Sequence, residues 1–214
     1  MTSGAAPTLR QGSALARWVL KALGWRLLVV DLPGPKGIIV AYPHTSNWDF
    51  PVAMLAKWGL GWSVRFWGKD TLFHWPLFGR WLRWIGGVPV RRDSSQGLVD
   101  ATRCVMDRSE HFWLALAPEG TRRSVQGWRM GFYHLWVATQ VPLGVAVLDW
   151  GRKEIGVRAF VRPTGNIDTD FSNIEAAIGG ATGRIPSHAS PVRAWIRTPS
   201  TTPQQQTKTN NEHE

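Results

Sequence analysis

The chain has 214 residues, enough for one domain with a full hydrophobic core. It carries 25 Lys and Arg against 15 Asp and Glu, a formal charge of +10. Its 43% hydrophobic content excludes a disordered chain, and the single cysteine, Cys104, excludes an internal disulfide framework and a four-thiolate zinc site. Trp occurs 14 times, several times its usual share, and with the positive charge it points to a polyanion. Nucleic acid and an anionic membrane surface are the two candidates.

In chain order, residues 1–12 are small and polar and are expected to be flexible. An amphipathic helix is predicted over 13–23, with Leu15, Trp18, Val19 and Ala22 on one face and Arg17 and Lys21 on the other. Strands follow over 25–30 and 37–41, separated by the turn Pro33-Gly34-Pro35. A helix over 47–58 and a strand over 63–67 lead into a partly helical stretch over 70–84 that Pro76 should break. A short strand over 88–90 precedes a helix over 94–108, capped by Ser94 or Ser95. The rest reads as a buried strand over 112–117, a helix over 130–140, strands over 143–148 and 155–161, and a last helix over 171–178. Residues 198–214, rich in Thr, Gln, Pro and Asn, read as a disordered tail. This alternation implies a single α/β domain over 13–197, its motif-bearing core at about 24–162, with a mixed, largely parallel sheet flanked by helices. No stretch reaches the roughly 18–20 mostly apolar residues of a membrane-crossing helix, and the N-terminal apolar run is interrupted by Arg17, Lys21 and Arg26. The protein is therefore expected in the cytosol or on a membrane face that touches it.

In an open α/β sheet, polar residues just past strand ends line the functional crevice. Three such places stand out. After the strand at 37–41 comes Tyr42-Pro43-His44-Thr45-Ser46-Asn47-Trp48-Asp49-Phe50. His44 precedes the helix and Asp49 lies in its first turn, so the carboxylate can reach one ring nitrogen and leave the other to take a proton from a hydroxyl. The same spacing also fits a capping box closed by Ser46 and Asp49, with His44 an ordinary loop histidine. After the strand at 112–117 comes Pro118-Glu119-Gly120-Thr121-Arg122-Arg123. Gly120 allows close backbone approach, and Thr121 and Arg122 offer a hydroxyl and a bidentate donor suited to phosphate, although an ordinary turn with solvated arginines has the same composition. Lys69, and then Arg91 and Arg92 at the end of the strand at 88–90, could complete an anion pocket or simply form a solvated edge. His44, His74, His111, His134, His188 and His213 are scattered without ligand spacing, so no metal site is expected.

Together and in order, these segments resemble the glycerolipid acyltransferases of the lysophosphatidic acid acyltransferase type, over roughly residues 24–150. The first family block, His and Asp separated by four residues, is His44 to Asp49. The second, ending in an Arg after a glycine-containing turn and a short strand, runs from Lys69 to Arg92. The third is Pro118-Glu119-Gly120-Thr121-Arg122, and the fourth is the step Val141-Pro142 into an apolar strand. Pro43, Ala117 and Val145 stand where the family often has Asn, Phe and Pro. The resemblance implies that His44 is the general base, oriented by Asp49, for attack of an acceptor hydroxyl on the thioester of acyl-CoA or an acyl-carrier protein. It implies that Lys69, Arg92, Glu119, Gly120, Thr121 and Arg122 form the acceptor-phosphate region. It also implies no covalent acyl-enzyme, no cofactor, and Ser46 as a helix cap rather than a nucleophile. The default acceptor is 1-acyl-sn-glycerol-3-phosphate, giving phosphatidic acid; another lysophospholipid or an amino-lipid hydroxyl are the alternatives.

The product of such a reaction must enter a bilayer. Arg10, Arg17, Lys21 and Arg26 surround Trp18 and Trp25, while Lys69, Arg80 and Arg83 interleave with Trp67, Trp75, Trp81 and Trp84. Trp favours the headgroup level, and each basic residue near an anionic surface contributes about 1 kcal/mol. The expectation is a monotopic protein on the cytoplasmic face of a membrane, the bacterial inner membrane by preference, with the first helix and second block resting on it. The rival reading, a basic nucleic-acid-binding protein with stacking Trp, leaves His44, Asp49 and the Glu119 block unexplained.

Overall fold

The computed structural model describes residues 12–90 and 95–195. The flexible ends expected at 1–12 and 198–214 fall almost wholly outside these residues, as do Arg91, Arg92 and the helix cap at Ser94. The element order is α1 (Ala14–Ala22), β1 (Arg26–Leu27), β2 (Lys36–Tyr42), α2 (Asp49–Leu60), β3 (Val64–Lys69), α3 (Pro76–Trp84), β4 (Gly87–Val90), α4 (Ser95–Arg108) and β5 (Phe112–Leu116). It continues with β6 (Trp128–Arg129), α5 (Gly131–Thr139), β7 (Leu143–Asp149), β8 (Glu154–Val161), α6 (Ile167–Ile178) and β9 (Ala194–Trp195). Among the described residues the main sheet has seven strands in the order β1-β8-β7-β2-β5-β3-β4. Its five strands from β7 to β4 run parallel, while β8 returns antiparallel to β7. The α/β class and the mixed, largely parallel sheet are as the sequence implies.

Strand β2 occupies the middle because its sequence, Lys36-Gly37-Ile38-Ile39-Val40-Ala41-Tyr42, is apolar on both faces. Ile38, Val40 and Tyr42 pack beneath α5 and α6 with Leu114, Trp128, Phe132, Trp136 and Phe171, while Ile39 faces the opposite layer with Trp62, Trp113 and Val157. Gly37 is required there: a Cβ would lie 2.2 Å from the Trp113 indole, whose Nε1 donates to the Gly34 carbonyl at 3.0 Å. The helix α2 closes on Gly61 in the left-handed region, φ 69°.

Most boundaries shift by a residue or two, and three differences from the sequence reading are larger. The strand expected over 25–30 shortens to Arg26–Leu27 at the sheet edge. The last helix begins at Ile167, four residues earlier than expected, because Asn166 caps it by accepting from the Thr169 amide at 3.0 Å and Asp168 and Asp170 favour its positive end. The two-residue strands β6 and β9 pair with each other and have no counterpart in the sequence pattern, which is too short to show. As expected, the 70–84 stretch breaks before Pro76, into a 3-10 turn over Asp70–His74 and α3.

Candidate active site

All five parallel strands end at one edge of the sheet, and the chemistry-bearing residues follow those ends. His44 comes two residues after β2, Glu119 three after β5, and Trp150 directly after β7. Lys69 closes β3. Since β2 lies between β5 and β7, the loops after these three strands meet.

The turn from β2 into α2 is organised by one carboxylate. Asp49 is 1% exposed. Its Oδ2 accepts from the amides of Thr45 at 2.7 Å and Ser46 at 2.8 Å and lies 3.2 Å from His44 Nδ1. Its Oδ1 accepts from Trp150 Nε1 at 2.9 Å. Burial alone would raise the Asp49 carboxyl. The hydrogen bonds from His44, the Ser46 amide and the Trp150 indole, with the nearby imidazole charge, outweigh it and hold Asp49 below the usual carboxylate range. The two readings left open by the spacing thus hold together. Asp49 supplies half of a capping box and also holds the imidazole. The other half is altered, since Ser46 Oγ accepts from the Trp48 amide at 3.2 Å and not from the amide of Asp49. With Nδ1 engaged, Nε2 is the nitrogen available to a substrate, and the His44 side chain is partly exposed.

Glu119 departs from the phosphate region expected for it. The residue is 0% exposed. Its Oε2 accepts from the His44 amide at 2.7 Å and its Oε1 from the Ser190 amide at 2.9 Å. Burial is the dominant influence and keeps the carboxyl above its ordinary value despite these bonds. A buried carboxylate bound to two amides offers an anion nothing; it fixes the backbone that carries His44. Beyond it, Gly120 turns the chain at φ 67°, a region that favours glycine. A Cβ there would also lie 2.6 Å from Arg129 Nε. Thr121 is half-buried and its Oγ1 accepts from the Arg123 amide at 3.3 Å. Arg122 is exposed and makes no ion pair with another described residue. Lys69 is exposed on the same edge, with β5 between its strand and β2, about 10 Å away at the usual strand spacing. Of the sequence-derived residues, the structure joins His44, Asp49 and Glu119 in one hydrogen-bonded unit. Gly120, Thr121, Arg122 and Lys69 lie at the same edge, and Arg92 lies outside the described residues.

The segment after α6 crosses this edge. The Ile185 amide donates to Thr45 Oγ1 at 3.2 Å, and Ser190 ties to Glu119 through its amide and to Tyr42 through its carbonyl, which accepts from the phenol at 2.9 Å. Burial, then the nearby Glu119 charge, pushes the Tyr42 phenol up to about 12, so it remains a neutral donor. A Cβ on Gly183 would lie 2.6 Å from Thr45, so the strap passes directly over the first block. No local pattern in the sequence marks Ser190 or Gly183. Trp150 had one: it follows a strand end, as the other blocks do. Among the described residues no three His, Cys, Asp or Glu side chains converge as a metal site would need.

The acyltransferase family model matches residues 30–146, more than half of the chain and the span that holds all four blocks. The chain belongs to the acyltransferase family, and its chemistry is acyl transfer. Among solved structures, the crystal structure of the 1-acyl-sn-glycerophosphate (LPA) acyltransferase PlsC from Thermotoga maritima is similar with a TM-score of 0.49 and 19% identity. The match covers 76% of this chain and 73% of that one. No curated protein matches the chain.

Proposed function

We propose that the chain moves a fatty acyl group from acyl-CoA or an acyl-carrier protein to the free hydroxyl of a lysophospholipid, with 1-acyl-sn-glycerol-3-phosphate as acceptor and phosphatidic acid as product. The observation that carries this reading is the 3.2 Å approach of Asp49 Oδ2 to His44 Nδ1, on a turn whose amides are tied to Asp49 and Glu119. His44 Nε2 takes the proton of the acceptor hydroxyl as its oxygen attacks the thioester carbonyl. The tetrahedral adduct collapses, the C–S bond breaks, and the imidazolium returns the proton to the departing thiolate. Asp49, held ionised, fixes the tautomer and stabilises the imidazolium. Gly120, Thr121, Arg122 and Lys69, with Arg92, receive the acceptor phosphate; the exposed Arg122, with no ion pair among the described residues, supports that assignment.

The second part of the reading is a resting place on the cytoplasmic face of an anionic membrane. No described helix is long and apolar enough to cross a bilayer. The support is a run of uncovered large apolar side chains on α3 and just before it, Trp75 at 70%, Leu77 at 85% and Trp84 at 81% exposed, beside Arg80 and Arg83. On α1 the burial falls on Ala16 and Leu20, and Leu15 and Trp18 of the predicted apolar face are open. Ser13, Trp58 and Trp84 line one groove, which joins the start of α1 to the end of α3.

Purified protein incubated with either acyl donor and a panel of lysolipids tests the reaction, with products read by mass. Phosphatidic acid is expected, and His44→Ala should lower its rate by about 10² or more while the fold persists. Full activity in that variant refutes the mechanism, and a different product mass replaces the acceptor.

A further inference from the structure

We infer that Trp150 is a positioning residue for the His44–Asp49 pair, an inference that rests on the acyl-transfer reading of this site. Trp150 lies beyond the segment matched by the family model. Three partners meet Asp49 Oδ2, whereas the Trp150 indole is the partner of Oδ1. The carboxylate torsion is broad and its two oxygens are equivalent, so the group's own preference does not set the tilt of its plane toward the imidazole. The indole N–H helps to set it: a hydrogen bond of 2.9 Å to one oxygen holds the plane in the orientation that keeps the other oxygen 3.2 Å from Nδ1.

The ring that supplies this N–H is itself held. Its backbone amide donates to the Thr182 carbonyl at 2.8 Å, and Trp25 meets it edge-on at 4.9 Å and 81°. Lys153 Nζ lies 4.8 Å and the Arg184 guanidinium 4.7 Å from the ring centroid, and Arg184 also stacks on Trp48 at 5.6 Å. These cations keep the indole in place and draw electron density from it, which strengthens the N–H as a donor. The preceding residue, Asp149, is anchored to Arg158 at 3.1 Å and Arg152 at 3.2 Å. Such restraint on a partly exposed Trp suits a group that must present one hydrogen to one oxygen.

The test is Trp150→Phe, which keeps an aromatic ring against Trp25 and removes the donor. Two measurements are made. Titration of the Asp49 carboxyl carbon by NMR, with no substrate present, should show its midpoint rise in the variant, because a hydrogen bond to the charged form is lost. In the acyl-transfer assay kcat should fall about tenfold or more, with both KM values within about twofold, the pattern of an interaction used at the transition state and not in binding. Trp25→Phe, which loosens the same packing without touching Asp49, should keep kcat. An unmoved Asp49 midpoint overturns the inference whatever the enzyme does. A raised midpoint with unchanged kcat, or equal kcat losses in Trp150→Phe and Trp25→Phe, also overturns it while leaving the proposed reaction intact. If Trp150→Phe does not fold, the Trp150 indole N–H resonance of the unaltered protein carries the test. It should shift on Asp49→Asn, and an unshifted resonance overturns the inference.

Discussion

Glu119 carries a carboxylate into the interior, where among the described residues no cation pairs with it, and hydrogen bonds from the His44 and Ser190 amides and the Ser190 hydroxyl offset part of the cost. Glutamine has one acceptor where glutamate has two, so Glu119→Gln turns an amide N–H toward another N–H. The variant should lose about 1–3 kcal/mol of stability, read as a lower Tm, and His44 should lose its place with it. An unchanged Tm would show that these amides find water instead. Because burial holds Glu119 above its ordinary value, ionising it costs more in the folded chain than in the unfolded one. Its contribution is therefore largest below the unfolded carboxyl value, about 4.3, and is lost as the pH rises through the folded value. The proline, glutamate and glycine of this block were legible as a site. The direction in which the glutamate points was not, because a strand-end residue can face the crevice or the core, and only the position of Ser190, 71 residues on, settles it.

At the scale of elements, the amphipathic patterns of α1 and α3 are plain in the sequence, but an apolar face does not say what covers it. For α1 the tertiary structure puts Ala16 and Leu20 inward and leaves Leu15 and Trp18 out. For α3 only Gly79 and Leu82 are buried; a Cβ on Gly79 would strike the Phe73 carbonyl at 2.2 Å, so the helix lies close against the turn before it. If the open aromatics enter a membrane interface, replacing Trp75 and Trp84 together by Ser should reduce binding to anionic liposomes by about tenfold or more. Flotation at low salt measures this, with acyl transfer to a soluble short-chain lysolipid as a check that the site is intact. Binding equal to that of the unaltered protein would remove these residues from the membrane surface. The short elements β6 and β9 show the limit of pattern reading: two residues have no period, and their pairing depends on the strap that brings Trp195 beside Arg129.

At the scale of the molecule, the carboxylates that join distant segments set the response to acid. Asp49 joins the first block to Trp150, and Asp149 joins β7 to Arg152, Arg158 and the Thr182 amide. In both, burial raises the carboxyl, and hydrogen bonds and nearby cations more than reverse it, leaving each below its ordinary value. The stability they supply is present above the unfolded carboxyl value, about 3.9, and is lost as the pH falls below it through their lower folded values. The Tm should thus fall steeply below about pH 4, and Asp149→Asn should flatten that fall. Thermal melts across acidic pH decide it, and an equally steep fall in the variant would count against Asp149.

The Trp excess resolves only at this scale as well. Five of the 14, Trp25, Trp62, Trp113, Trp128 and Trp136, are buried; six, Trp18, Trp48, Trp58, Trp75, Trp81 and Trp84, are exposed; the rest lie between. Neither core packing nor surface anchoring accounts for the excess alone. By itself the sequence determined the α/β class, the central apolar strand and the acyltransferase blocks, because periodicity, turn residues and motif spacing are local properties of the chain. The tertiary structure decided the inward turn of Glu119, the strap over Thr45 and the hydrogen bond from Trp150 to Asp49. Each of these joins residues 71 to 140 positions apart, and a contact over that span depends on strand order, which no local pattern encodes.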